Sequence, residues 1–163
     1  MEKPRLLLAE DDEALASLLE EYLLEAGYDL VVHHRGDTAL QALQQQHFDL
    51  VLSDIVMPGV DGLTLLRHVH DHMPDTLLLL MTGYSGIENA LHAVEQGAYD
   101  FVSKPFQLPE IRVRLDNAAR YQRLLVCYKA LSAEGLQPIA VAQPDGDMVV
   151  RAYGQNTATS GRH

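Results

Sequence analysis

The chain has no tryptophan, a single cysteine and only 6% aromatic residues. Cys127 has no second thiol to pair with and sits in a helical pattern without other ligand-type residues, so neither a disulfide framework nor a cysteine-centred metal site is indicated. Basic residues are scarce as well, 12 Lys and Arg against 23 Asp and Glu, for a net charge of -11. Phosphate contacts supply most nucleic-acid affinity, so direct DNA binding by this chain is not expected. No apolar run approaches the roughly 20 residues of a membrane helix, and the N-terminus lacks the basic and apolar regions of a signal peptide. No membrane association and a cytoplasmic address are the expectation. What is present, 47% hydrophobic and 21% charged residues in a chain of 163, suits one globular domain with a tail.

Apolar runs of strand length recur at Leu6 to Leu8, Leu30 to Val32, Leu50 to Leu52, Leu77 to Met81 and Phe101-Val102. They are continuous rather than alternating, as parallel strands covered on both faces require. Helix-period segments separate them. The first carries Leu15, Leu18, Leu19, Tyr22, Leu23 and Ala26 on one face and ends at Gly27; the fourth repeats the design with Ile87, Ala90, Leu91, Val94 and Gly97. Between these, Asp37 is placed to cap a helix bearing Ala39, Leu40 and Leu43, and Leu63, Leu66 and Val69 lead to a stop at Met73-Pro74. Strand and helix alternating five times predict an α/β fold, a doubly wound parallel sheet with right-handed crossovers.

A fifth helix is predicted from Pro109 through Ile111, Leu115, Ala118, Leu124, Tyr128 and Leu131, longer than one sheet needs. Its second stripe, Asn117, Tyr121, Leu124, Tyr128 and Leu131, follows coiled-coil spacing, which suits either a homodimer or packing on the chain's own tail. Residues 135–163 form a short tail. Pro138 to Gln143 and Met148 to Tyr153 read as a β-hairpin about Pro144-Asp-Gly-Asp, and Gly154 to His163 as a disordered end.

In an open α/β sheet, ligands bind beyond the carboxyl ends of the strands, where the strand order reverses. The first strand runs there into Glu10, Asp11 and Asp12, the third into Ser53 and Asp54, the fourth into Thr82 and the fifth into Lys104-Pro105. If the first and third flank the reversal, Asp11, Asp12 and Asp54 converge, and three carboxylates in one place repel unless a cation joins them. Oxygen ligands suit Mg²⁺, with Mn²⁺ the next choice. With Lys104 and Thr82 beside them, the arrangement predicts phosphoryl transfer: the cations neutralise phosphoryl oxygens, Thr82 bonds another, and Asp54, alone at its strand end, attacks.

The stretches "LLLAEDDEA", "DLVLSDIVMPGVDGLTLL", "LLLLMTGYSG" and "AYDFVSKPF" resemble the receiver domain of bacterial two-component response regulators, notably the nitrogen-regulator-like type, over about Pro4 to Tyr121. The resemblance implies a flavodoxin-like strand order 2-1-3-4-5. It further implies Asp54 as acceptor of a phosphoryl group from a sensor histidine kinase, Asp11, Asp12 and Asp54 as Mg²⁺ ligands with the Val56 main-chain carbonyl, and Thr82 and Lys104 as phosphoryl contacts. Thr82 and Phe101 would form the switch, and Gly83 to Gly86 the loop that rearranges with it. The output would be a conformational signal to a downstream protein, with residues 1–122 as the receiver and 123–134 as a helical extension.

Two positions depart from common family forms. Phe101 lacks the hydroxyl of a tyrosine, and Val56 has no group to orient an attacking water, which predicts slow self-dephosphorylation. Val56 also leaves no acid two residues beyond Asp54, so turnover of an external substrate, and an enzyme in that sense, is not expected. The competing function is a pseudo-receiver that docks a protein without phosphorylation; an Asp54 that cannot be phosphorylated would identify it. Elsewhere, His68 and His72 of "HVHDH" share a helix face with no evident third ligand and read as solvated residues.

Overall fold

A computed structural model describes residues 3–83, 87–144, 146 and 148–153. Twelve elements follow in order: β1 (Arg5–Ala9), α1 (Glu13–Glu25), β2 (Asp29–His33), α2 (Gly36–Gln45), β3 (Leu50–Asp54), α3 (Gly62–His72), β4 (Leu77–Thr82), α4 (Ile87–Glu95), β5 (Asp100–Ser103), α5 (Leu108–Ala133), β6 (Gln137–Ala142) and β7 (Met148–Tyr153). The first five strands form one parallel sheet in the order β2-β1-β3-β4-β5. The predicted fold class and strand order are both observed.

Pleating explains the unbroken leucine runs, because side chains alternate between two faces that are both covered. Leu7, Val51, Leu78 and Leu80 face a core completed by Ala39 and Leu43 of α2, Leu65 and Val69 of α3, and Ala90 of α4. Leu6, Leu8, Leu50, Leu52, Leu79 and Met81 face the opposite core, with Leu19 and Leu23 of α1 and Ile111, Leu115 and Ala118 of α5. Each fully buried leucine contributes about 1.5–3 kcal/mol of transfer free energy relative to exposure. The sheet's central strands are therefore fixed in register, and their carboxyl ends with them.

The helix ends follow local chemistry. Asp12 caps α1, its carboxylate accepting from the Leu15 amide at 3.2 Å, and Asp61 caps α3 through the Thr64 amide at 2.8 Å. After α1 the chain turns through Gly27 at φ +100°, a conformation costly for a residue with a Cβ. The helix α2 departs from expectation. Its cap is Arg35, with no side-chain bond, while Asp37 lies inside the first turn, paired with the Arg35 guanidinium and accepting from the Thr38 amide.

The chain divides into two compact units, Met1–Ala119 and Arg120–His163. Within the second, β6 and β7 pair antiparallel from Gln137↔Tyr153 to Ala142↔Met148, the predicted hairpin. In the distal part of α5, Tyr121 and Tyr128 are each about half exposed. The segment expected to be a disordered end lies outside the described residues. No described helix is long and apolar enough to cross a membrane. The His68 and His72 rings stand 5.0 Å apart on α3, as their spacing predicts.

Candidate functional site

The carboxyl ends of β1, β3, β4 and β5 meet at one edge of the sheet. β3 delivers Asp54, which is 9% exposed; its main chain is anchored where the Ile55 amide donates to the Met81 carbonyl at 3.1 Å. The loop after it returns closely. The Gly62 amide donates to the Ile55 carbonyl at 2.7 Å, and a Cβ on Gly62 would lie 2.3 Å from the Asp54 carbonyl oxygen. Only glycine fits against β3 there. The Val56 amide donates to Asp54 Oδ1 at 3.3 Å, while the Val56 residue is 77% exposed.

β5 delivers Lys104 directly after its last residue, a cis peptide to Pro105 follows, and the Lys104 amide donates to the Thr82 carbonyl at 2.7 Å, tying the ends of β4 and β5. The Lys104 ammonium spans two carboxylates, donating to Asp54 Oδ2 at 2.6 Å and to Glu10 Oε1 at 2.5 Å. Burial works against that ammonium's charge, but hydrogen bonds to Asp54 and Glu10 outweigh it and hold its pKa above the usual lysine range. Glu10 is fully buried. Burial, reinforced by the Asp54 charge and only partly opposed by the Lys104 hydrogen bond, pushes its carboxyl up to about 7.

Carboxylate oxygens of Glu10, Asp11 and Asp54 lie within 4.8 Å of one another, a group that could hold a metal ion. The sequence pointed to Asp11 and Asp12 beside Asp54. Structurally, Asp11 and Asp54 do come together, but the third member of the group is Glu10, while Asp12 binds the first turn of α1 through Oδ1. The signal for this is in the sequence: Asp12 stands three residues before Leu15, the N-cap spacing, and Glu10 continues the buried strand directly. One lysine among three acids leaves net negative charge in a confined space, and hard oxygen donors fit a hard divalent cation.

Thr82 ends β4, buried, its hydroxyl donating to the Gly83 carbonyl at 3.0 Å. Phe101 is half-buried on β5, its ring packed against the core shared with α2, α3 and α4. Its amide donates to Asp100, which is ion-paired to Arg114 at 2.6 Å. Most of the loop expected to rearrange, Tyr84 to Gly86, lies outside the described residues.

A family model for the response regulator receiver domain matches residues 6–116. The chain belongs to that family. The receiver domain is 41% identical over 117 residues to the response regulator protein FleR of Pseudomonas aeruginosa, which covers 72% of this chain and 24% of FleR. It is 36% identical over 116 residues to the DNA-binding transcriptional regulator NtrC of Klebsiella pneumoniae, covering 71% of this chain and 25% of NtrC. The crystal structure of NtrX from Brucella abortus matches with a TM-score of 0.74 at 27% identity, over 79% of this chain and 30% of that one. A receiver domain from Clostridium thermocellum, at 22% identity and TM-score 0.71 over 75% of this chain and 98% of that chain, shares the fold. The chain spans about a quarter of FleR and of NtrC, so the resemblance concerns their receiver portions. Its nitrogen-regulator-like character agrees with the sequence reading.

Proposed function

We propose that Asp54 accepts a phosphoryl group from the phosphohistidine of a sensor kinase and that the acyl phosphate so formed drives a conformational signal to a protein partner. The supporting observation is the Asp54 carboxylate held at 2.6 Å by Lys104 at a sheet edge shared with Glu10 and Asp11. An Asp54 oxygen attacks phosphorus as the bond from phosphorus to the imidazole nitrogen breaks, and the ring leaves with that electron pair. Lys104 already lies against Asp54, so its ammonium is placed to follow the charge onto the phosphoryl oxygens. Glu10 then loses a share of its counter-charge.

Glu10, Asp11 and Asp54, with the Val56 main-chain carbonyl, would hold Mg²⁺, Mn²⁺ being the nearest substitute; Asp12 serves from its cap position at the rim. When bound, the ion neutralises negative charge on the transferring group. Thr82 supplies the switch: it must exchange its bond to the Gly83 carbonyl for one to a phosphoryl oxygen, which draws the start of the following loop toward Asp54 and makes room for Phe101 to turn. The signalling unit is residues 1–122; 123–134 extends its last helix, where a second copy can pair, and 135–163 forms the tail. A cytoplasmic address follows from a kinase partner that spends ATP. Intact mass after incubation with Mg²⁺ and a small acyl-phosphate donor tests this reading. One phosphoryl adduct, absent from Asp54→Asn and from chelator-treated protein, is expected; no adduct under any condition would leave a docking module in its place.

A further inference from the structure

The main chain of Glu10 is gripped twice by the residues that end and follow β2. Its amide donates to the His33 carbonyl at 3.0 Å, the closing main-chain bond of the Ala9↔His33 pair that ends the β1/β2 ladder. In a parallel ladder the next bond would run from the Arg35 amide to the Glu10 carbonyl. By Arg35 the chain has already turned to cap α2. The His34 imidazole takes that place, its Nδ1 lying 3.0 Å from the Glu10 carbonyl oxygen. A carbonyl only accepts, so the ring nitrogen facing it carries the hydrogen.

This clamp sits where the strand ends and the acidic group begins. Glu10 has its side chain in the Lys104 ion pair, and Asp11, the next residue, is exposed and joins the same carboxylate group. The peptide whose oxygen His34 holds is the one between Glu10 and Asp11. A rotation of that peptide would swing Asp11 relative to Asp54, so the bond restricts one freedom that sets how the carboxylates converge.

We propose that His34 is a positioning residue for the divalent-cation site, acting through the Glu10 carbonyl rather than by touching ion or phosphoryl group. The proposal rests on the phosphoryl-acceptor reading only for its biological purpose; the binding effect stands apart from it. Asparagine places its amide nitrogen near the position of Nδ1, whereas glutamine places it near that of Nε2, so the two variants separate a bond to the carbonyl from mere polarity. Mn²⁺ binding, followed through loss of the free-ion electron paramagnetic resonance signal, is compared for wild type, His34→Asn, His34→Gln and His34→Ala, with thermal melts to verify folding. Ala and Gln are expected to weaken Mn²⁺ binding about tenfold, the lower end of what outer partners contribute to metal affinity, and Asn to stay close to wild type. The Mg²⁺ concentration for half-maximal phosphorylation should rise in the same two variants while the plateau rate holds. Equal Mn²⁺ affinity in all four proteins, an Asn variant no better than Ala, or no Mn²⁺ binding by wild type would overturn the proposal. Should His34→Ala fail to fold, the Asn and Gln pair decides it. Normal Mn²⁺ binding with no adduct on wild type would defeat the acceptor reading and leave the positioning result intact.

Discussion

Glu10 is a buried acid set between the Asp54 carboxylate and the Lys104 ammonium. Its carboxyl holds a proton up to about pH 7 in the metal-free fold, against an ordinary value of 4.5 in the unfolded chain. Between those values the folded state binds more protons than the unfolded one, so stability falls as pH rises through that window. Urea denaturation of metal-free protein at pH 5 and pH 7 should show that loss, and Glu10→Gln should remove most of it. A variant with an unchanged slope would place the titration elsewhere. Val56 makes a second prediction at this scale. Its exposed side chain offers no hydrogen bond to a water approaching Asp54, so Val56→Asn should shorten the lifetime of the phosphorylated protein, measured as decay of the intact-mass adduct; an unchanged lifetime would remove Val56 from the account. The gathering of Asp54, Thr82 and Lys104 at one sheet edge was readable because each stands alone at a strand end. Among four consecutive acids, Glu10 to Glu13, composition could not say which one turns inward, and that depends on where the strand stops and the α1 cap begins.

At the level of elements, the caps and the β3-to-α3 return make separable demands. Removing the α1 cap with Asp12→Ala should cost about 1 kcal/mol, as N-cap losses generally do. If Asp12 acts chiefly as a cap, the adduct should still form. Gly62→Ala acts through a different cause, since the added methyl would meet the Asp54 carbonyl oxygen at 2.3 Å and the strand or the helix must shift. That variant should lose stability and phosphorylation rate together, measured by melting and by adduct formation; a folded protein with wild-type rate would show that the junction has slack. The sheet and its five helices were legible because leucine runs buried on both faces admit few other readings. The start of α2 was not, because Asp37 has the composition of a cap but pairs with Arg35 and leaves the capping position to it.

Across the whole molecule, charge and topology converge on one edge. The net charge of -11 gives the chain a field that favours cations and disfavours a nucleic-acid backbone. Strand order places β1 and β3 side by side as parallel neighbours, with the reversal of strand order between them, and this brings Asp11 and Asp54 together from positions 43 residues apart in sequence. That order came from the family resemblance rather than from hydrophobic periodicity, which identifies strands but carries no information on their neighbours. The most direct test of the central claim is the site of phosphorylation itself. Protein phosphorylated by an acyl-phosphate donor with Mg²⁺ is reduced with borohydride, which converts an acyl phosphate of aspartate to homoserine, and its peptides are sequenced by mass spectrometry. Homoserine at position 54 alone is the predicted result; homoserine at position 11 or 12, or none anywhere, would contradict it.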